Sequence, residues 1–292
     1  MPVLTAHGCT HRGQVRPSNQ DAFVVDAAAG LFIVSDGMGG ANCGEVASAR
    51  VVSSLHQELL PLQRAATGTV PQAELPRPCG SATYTCLGGA DVAPVLAALQ
   101  HASALVHADS LQHPRCAGMG ATAAVLLLHR GHWLAANVGD SPIYLFRDDR
   151  VHPMHTTHTL EAEFRQTGTT TDAGELARAR HILTRAMGME GELAADYCQM
   201  PARPGDLACL CSDGLSNKVS PEEILALCLC FSLQEACENL VALANARGGE
   251  DNVTVVLCRL GQEGGAGGFR ARLGRLVRGF VGPFAGPFGR EG

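Results

Sequence analysis

At 292 residues, with 46% hydrophobic and 17% charged side chains, the chain has enough apolar material for a full core and is excluded from the disordered class. A net charge of −6 and a pI near 6.0 exclude nucleic acid as the main partner. No apolar run approaches the roughly 18 residues that span a membrane, and the opening Met1-Pro2-Val3-Leu4-Thr5 lacks the basic-then-apolar pattern of a secretory signal, so a cytoplasmic protein is expected.

In chain order, residues 3–10, 22–26 and 31–35 read as short strands, and 44–60 as a helix with an apolar face on Val46, Ala49 and Val52. Residues 61–91, rich in Pro, Gly, Thr and Ala, read as a loop or insertion that is long for a compact domain. A second helix is expected over 92–112. The middle is β: 121–129, 132–138 and 142–146 are apolar runs separated by turn residues, as in a meander. Residues 152–190 are polar and His-rich and are expected to form a short helix and a flap. A buried strand follows at 207–211. Two helices are then opened by capping boxes, at Ser220-Pro221-Glu222-Glu223 and Ser232-Leu233-Gln234-Glu235, and 253–260 closes the domain as a strand. Strand runs interleaved with helix pairs predict an α+β fold of packed antiparallel sheets with helices outside.

Beyond residue 260 the composition changes. Residues 261–268 form a Gly-rich linker, and 269–280 a basic amphipathic pattern in which Phe269, Leu273, Leu276, Val277 and Phe280 share one helical face. Arg270, Arg272, Arg275, Arg278 and Arg290 against Glu291 give residues 269–292 a charge of +4 and leave −10 on the rest, a body suited to divalent cations. The tail reads as a disordered, solvated segment or as a contact for an anionic membrane or acidic partner. The twelve cysteines have irregular spacing with no C-x-x-C, and are read as reduced and mostly buried; a zinc site is the alternative.

Four aspartates carry the chemical signal. Asp36 ends an apolar strand and precedes Gly37-Met38-Gly39-Gly40, and Asp213 ends another before Gly214-Leu215. Asp140 follows a third strand, and Asp251 opens the last one. Strands disfavour Asp, and gathered carboxylates repel one another unless a cation compensates. Oxygen ligands beside glycine-opened carbonyls suit Mg²⁺ or Mn²⁺. For any one Asp-Gly pair the plain alternative is a turn, and for Arg16 it is a surface ion pair.

The motifs together resemble the metal-dependent protein phosphatases, the type 2C serine/threonine phosphatases, and their compact bacterial branch in particular. The resemblance is carried by Val15-Arg16-Pro17-Ser18-Asn19-Gln20-Asp21, Ser35-Asp36-Gly37-Met38-Gly39-Gly40, Gly44-Glu45, Gly118-Met119-Gly120-Ala121-Thr122 and Val138-Gly139-Asp140-Ser141. It continues with Leu183-Thr184-Arg185-Ala186-Met187-Gly188, Cys211-Ser212-Asp213-Gly214-Leu215 and Glu250-Asp251-Asn252-Val253-Thr254. It spans about residues 5–260. It implies a four-layer α-β-β-α sandwich, two antiparallel sheets flanked by helix pairs, as a catalytic domain over 1–260. It also implies hydrolysis of phosphoserine and phosphothreonine in proteins by a water that two Mn²⁺ or Mg²⁺ ions activate, with no covalent enzyme intermediate.

Carried over by position, Arg16 holds the substrate phosphate. Asp36 bridges two metals and the Gly37 carbonyl binds the second. Asp213 and Asp251 complete the shell of the first metal, and Asp21 binds or orients waters on the second metal. Asp140 with Asp213 makes a weaker third site, and Asn252 supports the cluster. The implied partners are phosphoproteins and a bacterial Ser/Thr kinase, and the chain is expected to be a monomer. Several positions depart from the family pattern: Ala41 where His is usual, Pro142 in place of Arg, Thr157-His158-Thr159 for Asp-His-Ser, and His11 where Asp is common. They remove no metal ligand, but they leave the leaving-group acid unassigned, with His158 a weaker candidate for it than for a flap surface residue. They also motivate the alternative of a phosphatase-like module that binds phosphoproteins without turnover.

Overall fold

The computed structural model describes residues 3–39, 43–65, 92–170, 172–189 and 191–261. Most of the 61–91 segment, Ala41 and the 262–292 tail lie outside the described residues.

Two antiparallel sheets face each other. One has the order β1 (Leu4–His11), β11 (Val253–Leu260), β10 (Leu207–Cys211), β7 (Ile143–Arg147), β8 (Arg150–Pro153). The other runs β2 (Asp21–Asp26), β3 (Leu31–Met38), β5 (Ala123–His129), β6 (His132–Val138), β9 (Asp196–Pro201), and the short β4 (Gly120–Ala121) pairs with the end of β3. Period-two alternation sorts the side chains into layers. Leu31 and Ile33 of β3 face α1 (Gly44–Ala65) and α2 (Ala93–Gln112), whereas Phe32 and Val34 face the opposite sheet with Ala208, Leu210 and Val256. On the other side Cys209, Cys211, Val255 and Leu257 pack against α6 (Pro221–Cys230) and α7 (Leu233–Ala246). The four layers α-β-β-α are those expected.

Both capping boxes form: the Ser220 and Ser232 side chains accept the Glu223 and Glu235 amides, and each glutamate returns a bond to its serine's amide. Some elements exceed the expectation. β3 runs to Met38 because Gly37 and Met38 find partners in β4, and α1 continues to Ala65 through Pro61. The 152–190 stretch holds the end of β8 and two helices, α3 (Leu160–Thr167) and α4 (Ala173–Ala179), not one. β8 is reached by a tight turn with Asp148 and Asp149 in the left-handed region (φ 51° and 58°).

The cysteine expectation is corrected at one pair: Cys43 and Cys116 form a disulfide, Cα–Cα 5.3 Å, across 73 positions of sequence. Cys198, Cys209, Cys211, Cys228, Cys237 and Cys258 are free and buried. Among the described residues no three His, Cys, Asp or Glu side chains form a ready-made metal cage, zinc included.

Candidate active site

The alternation that fills the space between the sheets also builds the site at one end of it. Asp36 has the parity of Phe32 and Val34, so it lies at the mouth of the inter-sheet layer; Asp21 has the parity of Phe23 and Val25 and stands directly opposite Asp36 in the β2–β3 register. Ser212 continues the inner face of β10 and Thr254 that of β11. Two carboxylates in register on one face repel.

Buried hydroxyls hold them there. Asp21 Oδ2 accepts from Thr254 Oγ1 (2.6 Å) and Ser212 Oγ (2.8 Å). Thr122 clasps Asp36 by its backbone: Thr122 Oγ1 accepts the Asp36 amide (2.9 Å), and the Thr122 amide donates to the Asp36 carbonyl (2.8 Å). The same hydroxyl meets Ser141 Oγ at 2.7 Å, tying Asp36 to the neighbour of Asp140. Thr122, Ser141, Ser212 and Thr254 were assigned no role from sequence; polar hydroxyls at the ends of otherwise apolar strands are the signal that could have found them.

Three close backbone approaches draw the remaining acids in. A Cβ on Gly37 would meet the Gly44 carbonyl oxygen at 2.0 Å, so only glycine lets the end of β3 reach the start of α1. A Cβ on Gly214 would lie 2.0 Å from the Asn252 carbonyl oxygen, which seats Asp213 beside Asp251. A Cβ on Gly13 would lie 2.1 Å from the Asp251 carbonyl oxygen. Asn252 is fully used: its Oδ1 accepts the Gln20 amide (2.8 Å), and its Nδ2 donates to the Arg12 and Ser18 carbonyls (both 2.9 Å). It thereby staples the 12–20 loop, and Arg16 within it, to the start of β11. His11 stiffens the same loop by accepting the Gly13 amide at 3.0 Å.

Burial first, and then the neighbouring acids, raise the carboxyl pKa values. Asp36 is pushed well above the usual range by burial and by Asp21, Asp213, Asp140 and Asp251. Asp21 rises to about 6, burial outweighing the bonds from Thr254 and Ser212. Asp140 rises to about 7 through burial and the Asp213 charge. Asp213 is raised by burial and by Asp251, partly offset by His181, Asn217 and a hydrogen bond with Asp36. Asp21 Oδ1 and Asp213 Oδ1 are buried with no hydrogen-bond partner. Orphaned anionic oxygens in a raised-pKa cluster are the donor set a hard cation satisfies. Half-exposed Arg16 donates to Asp251 Oδ2 at 2.8 Å and is the counter-charge on the rim.

Beside Asp140 and Asp213 opens a groove of ≈ 260 Å³, walled by Pro142, Tyr144, Glu161, Arg180 and His181. The expectation for His158 is overturned: it is neither a surface residue nor an acid facing the groove, but 3% exposed. Its Nδ1 accepts the Gly139 amide (3.0 Å), its own amide donates to the Gly139 carbonyl (3.0 Å), and Nε2 donates to Asp196 Oδ2 (3.0 Å). Burial lowers its pKa, so the ring is neutral and clamps the residue before Asp140.

Residues 8–253 match the family model described as Protein phosphatase 2C. Protein phosphatase PhpP of Streptococcus pneumoniae is 30% identical over 259 residues, which cover 87% of this chain and 96% of that protein. Among solved structures, the Mycobacterium tuberculosis serine/threonine phosphatase PstP/Ppp matches with a TM-score of 0.73 at 30% identity, covering 89% of this chain and 100% of the other. The catalytic domain of serine/threonine protein phosphatase PstP in complex with two manganese ions matches with a TM-score of 0.71 at 30% identity, over 90% of this chain and 100% of that one.

Proposed function

The chain belongs to the protein phosphatase 2C family, and from that premise we propose that its aspartate cluster hydrolyses phosphoserine and phosphothreonine esters of proteins with two Mn²⁺ or Mg²⁺ ions. The observation that carries the reading is the convergence of Asp21, Asp36, Asp140, Asp213 and Asp251 from separate segments, with buried oxygens of Asp21 and Asp213 left unpartnered. Asp36 would serve both ions, with Asp213 and Asp251 holding the first and Asp21 and the Gly37 carbonyl the second, and Asp140 with Asp213 would hold a weaker third. Divalent cations held there supply a nucleophile from water at neutral pH and Lewis acidity toward phosphorus.

The chain's own residues do the rest. Arg16 exchanges its bond to Asp251 for a forked contact with the phosphate, which its half-exposed position allows. Thr254 and Ser212 donate to Asp21 Oδ2 and leave Oδ1 buried and unpartnered, available to a cation or its waters. Asn252 holds the Arg16 loop in register. No side chain is assigned as acid to the leaving serine or threonine, whose proton comes from solvent.

The catalytic domain comprises residues 1–260 and acts as a monomer on phosphoproteins in the cytoplasm, opposing a Ser/Thr kinase. No described helix is long and apolar enough to cross a membrane. Hydrolysis of an aryl phosphate should require added Mn²⁺ or Mg²⁺ and stop with chelator, and Asp213→Asn should lower kcat by a factor of at least about 100, an electrostatic loss of roughly 3 kcal/mol. Phosphopeptide binding without metal-dependent turnover would instead establish the non-catalytic module.

A further inference from the structure

Ten of the twelve cysteines fall within the described residues, and two of these are joined beside the aspartate cluster. Cys43 precedes Gly44, the first residue of α1, and its carbonyl takes the Ala47 amide at 3.0 Å. It is 4% exposed. Gly44 in turn abuts the Gly37 carbonyl: a Cβ there would lie 2.6 Å from that oxygen. Cys116 sits in the turn Pro114–Cys116, partly exposed, with Pro114 and Arg115 exposed beside it. Its carbonyl accepts the Met119 amide (3.0 Å), and the next residues, Gly120 and Ala121, pair with Met38 and Gly37. The disulfide therefore braces the Gly37 carbonyl from both sides, through Gly44 and through β4.

We infer that Cys43 and Cys116 are a reversible thiol–disulfide modification site that sets how tightly the Gly37 end of the cluster holds a divalent cation. This rests on the reading of the cluster as metal-binding. Cys116 is partly exposed in a turn whose Pro114 and Arg115 are exposed, whereas Cys43 is buried, so Cys116 is the end of the bond an external thiol approaches. An external thiolate attacks Cys116 Sγ; the Cys43–Cys116 bond breaks, and its electron pair leaves on Cys43 Sγ as thiolate. A second thiol of the reductant attacks the mixed disulfide, releasing Cys116 and carrying away the new disulfide, so the protein gains the two electrons the dithiol loses. A low-molecular-weight disulfide runs the exchange backwards. The buried thiols of Cys209, Cys228, Cys237 and Cys258 take no part: the Cys211 hydrogen bond and then burial raise Cys209, burial raises the other three, and all four stay protonated.

The test uses the full chain, oxidised with a small disulfide or reduced with a dithiol, and reads peptide mapping and Mn²⁺ calorimetry. The oxidised chain should yield a peptide cross-linked between Cys43 and Cys116. Reduction should weaken Mn²⁺ binding about tenfold, the scale of losing the groups that orient a metal ligand. The double variant Cys43→Ser, Cys116→Ser should bind as the reduced chain does and ignore either reagent. Equal Mn²⁺ affinity in both forms of the wild-type chain, or cross-links only elsewhere, overturns the inference while leaving the cluster's function intact. A chain that binds no Mn²⁺ in either form overturns the metal reading itself, and this inference with it.

Discussion

At the scale of single residues, the cluster sets catalysis against stability. Asp36 is pinned opposite Asp21, and its carboxyl is pushed well above the usual range by burial and then by four neighbouring acids. The sign follows from linkage: a carboxyl whose pKa is higher folded than unfolded favours the fold below its unfolded value of 3.8 and loses that contribution as pH rises through the folded value. Asp21 and Asp140 place the upper edge of that window at about 6 and about 7. In chelator, Asp36→Asn should therefore melt higher than the wild type, with a margin that grows from pH 5 to pH 8, while its Mn²⁺-supported turnover is lost. A margin that shrinks as pH rises would contradict the electrostatic account. Added Mn²⁺ should reverse the ranking by binding only the wild-type cluster tightly.

His158 makes a second residue-scale prediction. Its Nδ1 is the acceptor for the buried Gly139 amide, so His158→Phe leaves that donor unpaired, a cost of about 1–3 kcal/mol. An Asn carries an oxygen close to where Nδ1 stands. His158→Asn should therefore recover the metal affinity and the kcat that His158→Phe loses, although both variants give up the bond to Asp196. If the two are equally impaired, the Asp196 tie and not the Gly139 clamp is what matters.

At the scale of elements, the far end of the sandwich isolates folding from chemistry. Asp206, 1% exposed at the start of β10, accepts Arg147 Nε and Nη2 (2.7 and 2.6 Å), Trp133 Nε1 (2.8 Å) and the Arg203 amide (2.8 Å). This joins β6, β7 and β10 opposite the end that carries Asp213. Asp206→Ala strands a buried guanidinium and should cost about 3–5 kcal/mol in a denaturant titration, with kcat of the surviving folded enzyme unchanged. Most strands of both central layers were legible as continuous apolar runs between turn residues, and the two capped helices because their end signals are local. β9 was not. Asp196–Pro201 is a mostly half-buried strand whose hydrophobic pattern is weak, and only pairing with β6 makes it a strand. His158 was misread for the same reason, since the partner that accounts for its burial, Asp196, starts that strand. The acids at strand ends were legible from residue type alone. The hydroxyls that position them were not, because a Thr or Ser ending a strand carries no distinguishing pattern until the opposite sheet is in place.

At the scale of the molecule, β11 is flanked on both sides, by β1 and by β10, and the described body closes where the Gly261 amide donates to the Val3 carbonyl at 2.8 Å. Every residue proposed for catalysis lies before that closure, as does every strand of both sheets. Beyond it, residues 262–292 carry five arginines against Glu263 and Glu291, a charge of +3 on a segment joined to a body of −9. Removal of residues 262–292 should leave kcat/KM for a small aryl phosphate and the melting temperature as they are in the full chain. Any function of the segment should then surface only with macromolecular or membrane partners, as a loss of binding to anionic vesicles or acidic proteins. A large fall in small-substrate turnover on truncation would mean that the catalytic unit extends past the β1–β11 closure.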